Sequence, residues 1–117
     1  MTLNELAMQL REFVAARDWE QFHTPKNLAM ALAGEVGELL AELQWLTPEE
    51  SSNVMADPDA AARMRSEMAD VTIYLVRLAD LLDVDLLEAA KAKLAESDRR
   101  YNVENYRGSA RKAPPLS

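Results

Sequence analysis

Apolar residues recur at three- and four-residue spacing along most of this chain, and no stretch of useful length alternates apolar with polar. The first pattern lays an apolar stripe along a helix; the second is what a half-buried strand requires. With only three Gly and five Pro, and the prolines at breaks between periodic segments, little interrupts the helical pattern. We therefore expect an all-α fold, a bundle of four to five helices. A chain of 117 residues is long enough for one core and too short for two, so residues 1–117 are read as a single domain. Its end, "NVENYRGSARKAPPLS" at 102–117, is basic and reads as a mobile tail.

The first helix is expected over about residues 3–17, with Thr2 and Glu5 at capping-box spacing and Leu3, Leu6, Leu10, Phe13 and Val14 facing the core. "DWEQFHTPK" is a loop in which Thr24 caps, and Pro25 opens, a second helix running to about residue 45. "TPEE" starts a short third helix, and "SSNVMADPD" is a polar linker. A long helix follows over about 59–82, and the last one, capped by Asp85 with Glu88, runs to about 101.

Composition excludes several function classes. The absence of Cys removes disulfides, thiol catalysis and Cys-ligated zinc, and it fits a reducing cytosol. The opening "MTLNELAMQLREF" carries charges among its apolar residues, unlike a signal peptide or an uncharged span, so we expect no membrane partner and a cytoplasmic location. A net charge of −7 argues against a nucleic-acid polymer, whose phosphate backbone needs a basic face. A small anion remains a suitable partner if a metal ion bridges it.

Two helices carry an acidic anomaly. In "GEVGELLAELQW", Val36, Leu39, Leu40 and Leu43 form an apolar stripe, yet Glu35, Glu38 and Glu42 sit among them. In "SEMADVTIYLV", Met68, Val71, Tyr74 and Leu75 form a stripe broadened by Ile73 and Val76, with Glu67 and Asp70 at its start. Side chains three residues apart lie about 5–6 Å from one another on one helix face. Antiparallel packing of the two helices would bring both pairs together. Two like charges at 4 Å repel by about 4 kcal/mol at an effective dielectric near 20, so such a cluster calls for a cation. Oxygen-only ligands favour Mg²⁺ or Mn²⁺, and Mg²⁺ commonly completes its shell with phosphate oxygens. Each pair alone is commonest on a solvated helix face; two pairs, each at the margin of a strongly apolar stripe, point to a site. Glu42 reads as the solvated carboxylate. A rival metal reading starts from Glu20 and His23, which spell the ExxH of carboxylate-bridged di-iron bundles, but those need two such pairs and this chain has a single His. His23 is read as a loop or packing histidine.

The segments "RDWEQFHTPKNLAMALAGEVGELLAELQW" at 17–45, "EMADVTIYLVRLAD" at 67–80, "VDLLEAAKAKL…RRY" at 84–101 and "RGSARK" in the tail together resemble the all-α nucleoside triphosphate pyrophosphohydrolases, the MazG-like group, and within it the dCTP pyrophosphatases. The resemblance implies that Glu35, Glu38, Glu67 and Asp70 are catalytic and bind Mg²⁺. It implies cleavage of a nucleoside triphosphate between its α and β phosphates, in control of the nucleotide pool. Metal ions in such sites polarise phosphate oxygens and lower the pKa of bound water. The resemblance also places Trp19, Trp45 and Tyr74 in the base pocket, where one stacking contact supplies roughly 1–3 kcal/mol. For Trp45 and Tyr74, plain core packing is an equal alternative. The resemblance also matches Lys93 to a family lysine on the last helix, from where it could reach the triphosphate; Arg99, Arg100, Arg111 and Lys112 are weaker candidates, since a basic helix end also complements the helix dipole.

Two positions depart from the dCTP-selective members, which have His at the place of Leu10 and Asn at the place of Ser97. An Asn amide donates to and accepts from a base edge, and a hydroxyl offers less, so cytosine selectivity is in question. Members of the family assemble as dimers or dimers of dimers, and a homodimer or homotetramer is expected. The other reading, from a different class, is a non-catalytic helical scaffold that binds nucleotide or a regulatory partner.

Overall fold

The structure is a computed structural model that describes residues 1–116. It is all-helical among the described residues: α1 Leu3–Ala16, α2 Pro25–Ala41, α3 Pro48–Ser52, α4 Pro58–Leu81, α5 Leu86–Arg100 and α6 Val103–Tyr106, with 3-10 turns at Glu20–Phe22 and Val54–Ala56. The chain divides into two compact units, Met1–Asp83 and a second beginning at Val84. No described helix is long and apolar enough to cross a membrane.

In the first unit, α4 is the central element, and α2 and α1 both pack on it. Small residues let the backbones approach: Ala7 on α1 and Ala61 and Ala79 on α4 are buried. Leu28 of α2, Val14 of α1, and Met64 and Val76 of α4 fill the space between them. Each such side chain stabilises the fold by about 1.5–3 kcal/mol on burial.

Local chemistry sets the helix starts. Thr2 and Glu5 close a capping box on α1, and Thr47 and Glu50 close another on α3. The Thr24 hydroxyl accepts the Asn27 N–H at 3.1 Å, and Asp57 accepts the Ala60 N–H at 3.1 Å. Proline occupies the first turn of α2, α3 and α4, where its missing N–H has no intrahelical partner to lose. Asp18 and Asp83, at φ 54° and 55°, take the left-handed turns after α1 and α4, a conformation aspartate tolerates better than most residues.

Two expectations need correction. The second helix stops at Ala41 rather than near 45. The N–H groups of Leu43 and Gln44 both donate to the Leu40 carbonyl, at 2.9 and 2.8 Å, so the chain tightens into a turn. Pro48 holds Thr47 in an extended conformation, which ends any helix running toward it. On α4, the expected stripe is displaced. Met68 is 55% exposed, whereas the buried residues are Ala61, Met64, Val76, Arg77 and Ala79. Alanines and an arginine take buried positions that a stripe of large apolar residues leaves out.

In the second unit, Asp85 caps α5 by accepting the Glu88 N–H at 3.0 Å. Arg100 donates to the carbonyl oxygens of Ala113 and Pro114, and the Ala113 N–H donates to the Tyr101 hydroxyl at 3.2 Å. These bonds surround Ala113, which is buried.

Candidate active site

The packing of α2 against α4 brings both acidic pairs to one place. Glu35, Glu38, Glu67 and Asp70 each offer a carboxylate oxygen, and these oxygens all lie within 4.8 Å of one another. Glu38 is exposed and the other three are half-buried. One oxygen of Glu35 and one of Glu67 are shut off from solvent with no hydrogen-bond partner. A buried acceptor without a donor is unfavourable by about 1–3 kcal/mol, and more when charged.

The crowding acts on the protons. The Glu35 carboxyl is pushed above the usual carboxylate range, first by its hydrogen bond with Glu38, then by burial and by the charges of Glu38, Asp70 and Glu67. Glu67 is pushed up as well, by burial first and then by its hydrogen bond with Glu38 and the surrounding negative charge. A divalent cation fits this set. It would give the two shut-off oxygens a partner, and four carboxylates make an all-oxygen donor set suited to a hard ion.

Glu42 is not the freely solvated carboxylate expected. It accepts from Arg63 Nε at 2.9 Å, and its side chain is only 21% exposed. Glu42, at the C-cap of α2, is thus paired with a cation and is not one of the four clustered carboxylates.

One turn along α4 from Asp70 lies Tyr74, which opens onto a cavity lined by Leu10, Phe13, Val14, Trp19, His23, Ile73, Tyr74 and Arg77. Trp19 meets Phe13 edge-on, with ring centroids 5.7 Å apart. Two of the expected base-pocket aromatics, Trp19 and Tyr74, thus share a cavity, and Leu10 lies in its wall. Trp45 does not line it; 87% exposed in the turn after α2, it is not a core residue either. Lys93 and Ser97 belong to α5 in the second unit, where Lys93 faces Glu96 at 3.5 Å. Arg100, a weaker candidate for phosphate binding, is taken up by the carbonyls of Ala113 and Pro114. Arg111 lies over the Tyr106 ring, 4.9 Å from its centroid. Glu20 and His23 join no other potential ligand among the described residues, so the di-iron reading gains nothing.

Sequence reasoning missed a polar chain behind the cavity. Arg77 is only 7% exposed. Its Nε donates to His23 Nδ1 at 3.2 Å, and its Nη1 faces Asp80 at 3.6 Å. Asp80 in turn accepts from Arg11 Nε and Nη2 at 2.6 and 2.5 Å. The available signal was an arginine inside the apolar run "TIYLVRLAD", three residues before an aspartate.

Comparison with known proteins agrees with this geometry. Residues 31–115 match the MazG-like family. The dCTP pyrophosphatase 1 of Bos taurus is 46% identical over 115 residues, covering 98% of this chain and 68% of that protein. That of Homo sapiens is 45% identical with the same coverage. A pyrophosphatase from Archaeoglobus fulgidus DSM 4304, known from a crystal structure, superposes with a TM-score of 0.78 at 39% identity, covering 85% of this chain and 91% of its own. The family match takes in both acidic pairs, all of α4 and α2 from residue 31 on, and the chain belongs to the MazG-like family.

Proposed function

We propose that this chain is a Mg²⁺-dependent nucleoside triphosphate pyrophosphohydrolase that splits a deoxynucleoside triphosphate, dCTP among its substrates, into a monophosphate and pyrophosphate, and so acts on the nucleotide pool. The hydrolase class follows from kinship with dCTP pyrophosphatases and a pyrophosphatase of known structure. The observation that carries the reading is the convergence of Glu35, Glu38, Glu67 and Asp70, with two shut-off oxygens that a cation would satisfy.

In this reading those four carboxylates hold the metal. When bound, a divalent ion offsets phosphate charge and makes a bound water a better nucleophile at neutral pH. The protein's own groups do the rest. By fixing the ion, the carboxylates would set where the triphosphate lies, and Trp19, from the turn after α1, and Tyr74, one turn from Asp70 on α4, stack against the base. Water attacks the α phosphorus, pyrophosphate leaves, and a carboxylate of the cluster takes the water's proton. The roles of Lys93 at the triphosphate, and of Ser97 and Trp45 at the base, rest on the resemblance alone. Assembly as a homodimer or homotetramer is part of the proposal, supported by apolar residues that α2 leaves exposed in the single chain: Met30, Val36 and Leu40.

A panel of deoxynucleoside and ribonucleoside triphosphates with Mg²⁺, read by pyrophosphate release, tests the reading. Pyrophosphate and monophosphate should be the initial products. Glu67→Ala and Asp70→Ala should each lower turnover by at least about a hundredfold, equivalent to about 2.7 kcal/mol of lost transition-state stabilisation, with helix content by circular dichroism unchanged. Diphosphate and orthophosphate as first products would refute the reaction. Full activity in both variants would move the site elsewhere.

A further inference from the structure

Among the residues lining the aromatic cavity, only Arg77 has a permanently charged side chain. An arginine that is 7% exposed as a residue needs compensation for its charge, because removing a charge from water is unfavourable by several kcal/mol. Asp80 supplies it at 3.6 Å and is itself gripped by Arg11. An apolar side chain at position 77 would serve packing alone without any of this apparatus. The guanidinium therefore needs a further explanation.

Its donors suggest one. Nε is committed to His23 Nδ1. Neither terminal nitrogen donates a hydrogen bond among the described residues, since the Asp80 contact is too long for one. Yet neither is among the buried atoms left without a partner, so their N–H groups reach accessible space. Arg77 is one of the residues that line the cavity. His23 adds to the same polarity. With Nδ1 accepting from Arg77, the neutral ring carries its proton on Nε2 and is a donor there. Burial, and then the Arg77 charge, push its pKa below the usual histidine value, which keeps the ring neutral. The two polar residues of an otherwise aromatic and aliphatic lining thus keep donors that no acceptor among the described residues takes up, and the nearby Asp80 carboxylate is occupied by two arginines.

We infer that Arg77 is a specificity-determining residue, whose free N–H groups hydrogen-bond a carbonyl oxygen on the edge of a pyrimidine base lying in the cavity lined by Trp19 and Tyr74. Asp80, Arg11 and His23 are positioning residues that fix the guanidinium. The inference rests on the proposed function, which puts the base in this cavity. It also explains how discrimination can arise with Leu10 in the wall. A buried donor left facing a non-acceptor is penalised, so bases that offer no carbonyl there are rejected.

The test replaces the acceptor atom and the donor in turn. The wild type and Arg77→Met are assayed for kcat and KM with dCTP, its 2-thio analogue, dTTP, and the 2-thio and 4-thio analogues of dTTP; sulfur is a much poorer acceptor than oxygen. In the wild type, at least one oxygen-to-sulfur replacement should lower kcat/KM about tenfold, the equivalent of one lost hydrogen bond, mainly through KM. In Arg77→Met the oxygen and sulfur substrates should be hydrolysed within about twofold of each other, since the donor is gone. Arg77→Lys, which keeps a charge beside Asp80 but lacks the planar fork, should also lose the discrimination and stands in if Arg77→Met does not fold. Wild-type hydrolysis with no sulfur penalty, or with the same penalty in the folded variant, would overturn this inference alone. A wild type that releases no pyrophosphate from any deoxynucleoside triphosphate would overturn the proposed function, and this inference with it.

Discussion

Asp80 is held through both carboxylate oxygens by Arg11 and faces the buried Arg77 one turn back on its own helix. The Arg11 hydrogen bonds keep its carboxyl below the usual carboxylate range despite the opposing effect of burial. A carboxyl whose folded pKa lies below its unfolded value binds fewer protons in the native state, so its ionised form favours folding. That stabilisation is complete above the unfolded pKa of about 3.9 and is lost as pH falls through the lower folded value. Asp80→Asn removes the charge at every pH and leaves Arg77 without its counter-ion. In urea titrations the variant should be less stable than the wild type by about 2 kcal/mol at pH 7, and the gap should narrow as pH drops below about 4. A gap that stays constant into acid would mean that Asp80 acts through packing rather than charge. At this scale the sequence was partly legible. The four clustered acids stood out because like charges beside apolar stripes are anomalous anywhere. Arg77 did not, because one arginine in an apolar helix reads as a solvated side chain until its neighbours are known. Its partner His23 lies 54 residues earlier in the chain, and Arg11, which grips Asp80, lies 66 residues earlier, separations that no local pattern records.

The helices themselves were legible because their determinants are local: capping boxes, prolines in first turns, and a period of three to four. The boundary near residue 45 was not, because the turn after Ala41 is set by competition between continuing α2 and placing Thr47 to cap α3. The glycine between the two acids of α2 raises a separate question at this scale. Gly37 lies inside α2, and a Cβ built there would meet nothing within 4 Å. Glycine in a helix interior is unfavourable by roughly 0.5–1 kcal/mol relative to alanine, mostly through the freedom it loses on folding. With no contact to disturb within the chain, Gly37→Ala should raise the unfolding free energy by about that amount, measured by urea denaturation. A loss of stability, together with a shift toward smaller species in sedimentation, would indicate that a second copy packs closely against Gly37. The neighbouring Val36 and Leu40 are exposed in the single chain, which makes α2 a reasonable place to look for such packing.

For the whole molecule, the acidic cluster couples metal binding to stability. Without a cation, folding forces Glu35, Glu38, Glu67 and Asp70 together, and the raised proton affinity of Glu35 and Glu67 records the strain. Glu38 is central to it, as a hydrogen-bond and charge neighbour of both raised groups. Removing Glu38 therefore relieves repulsion in the metal-free protein and removes a ligand from the metal-bound one, and these effects have opposite signs. A ligand that binds only the native state adds RT ln(1 + [L]/Kd), about 2.7 kcal/mol at a hundredfold excess over Kd. After chelation, Glu38→Ala should melt at or above the temperature of the wild type. In millimolar Mg²⁺ the order should reverse, because the wild type gains the binding term and the variant gains little of it. Protein concentration must be held fixed across the series, since assembly would itself shift the melting temperature by mass action. Mg²⁺ shifts of equal size in both proteins would take Glu38 out of the site. A variant that melts below the wild type even after chelation would show that its contacts to Glu35 and Glu67 stabilise the fold more than their mutual repulsion weakens it.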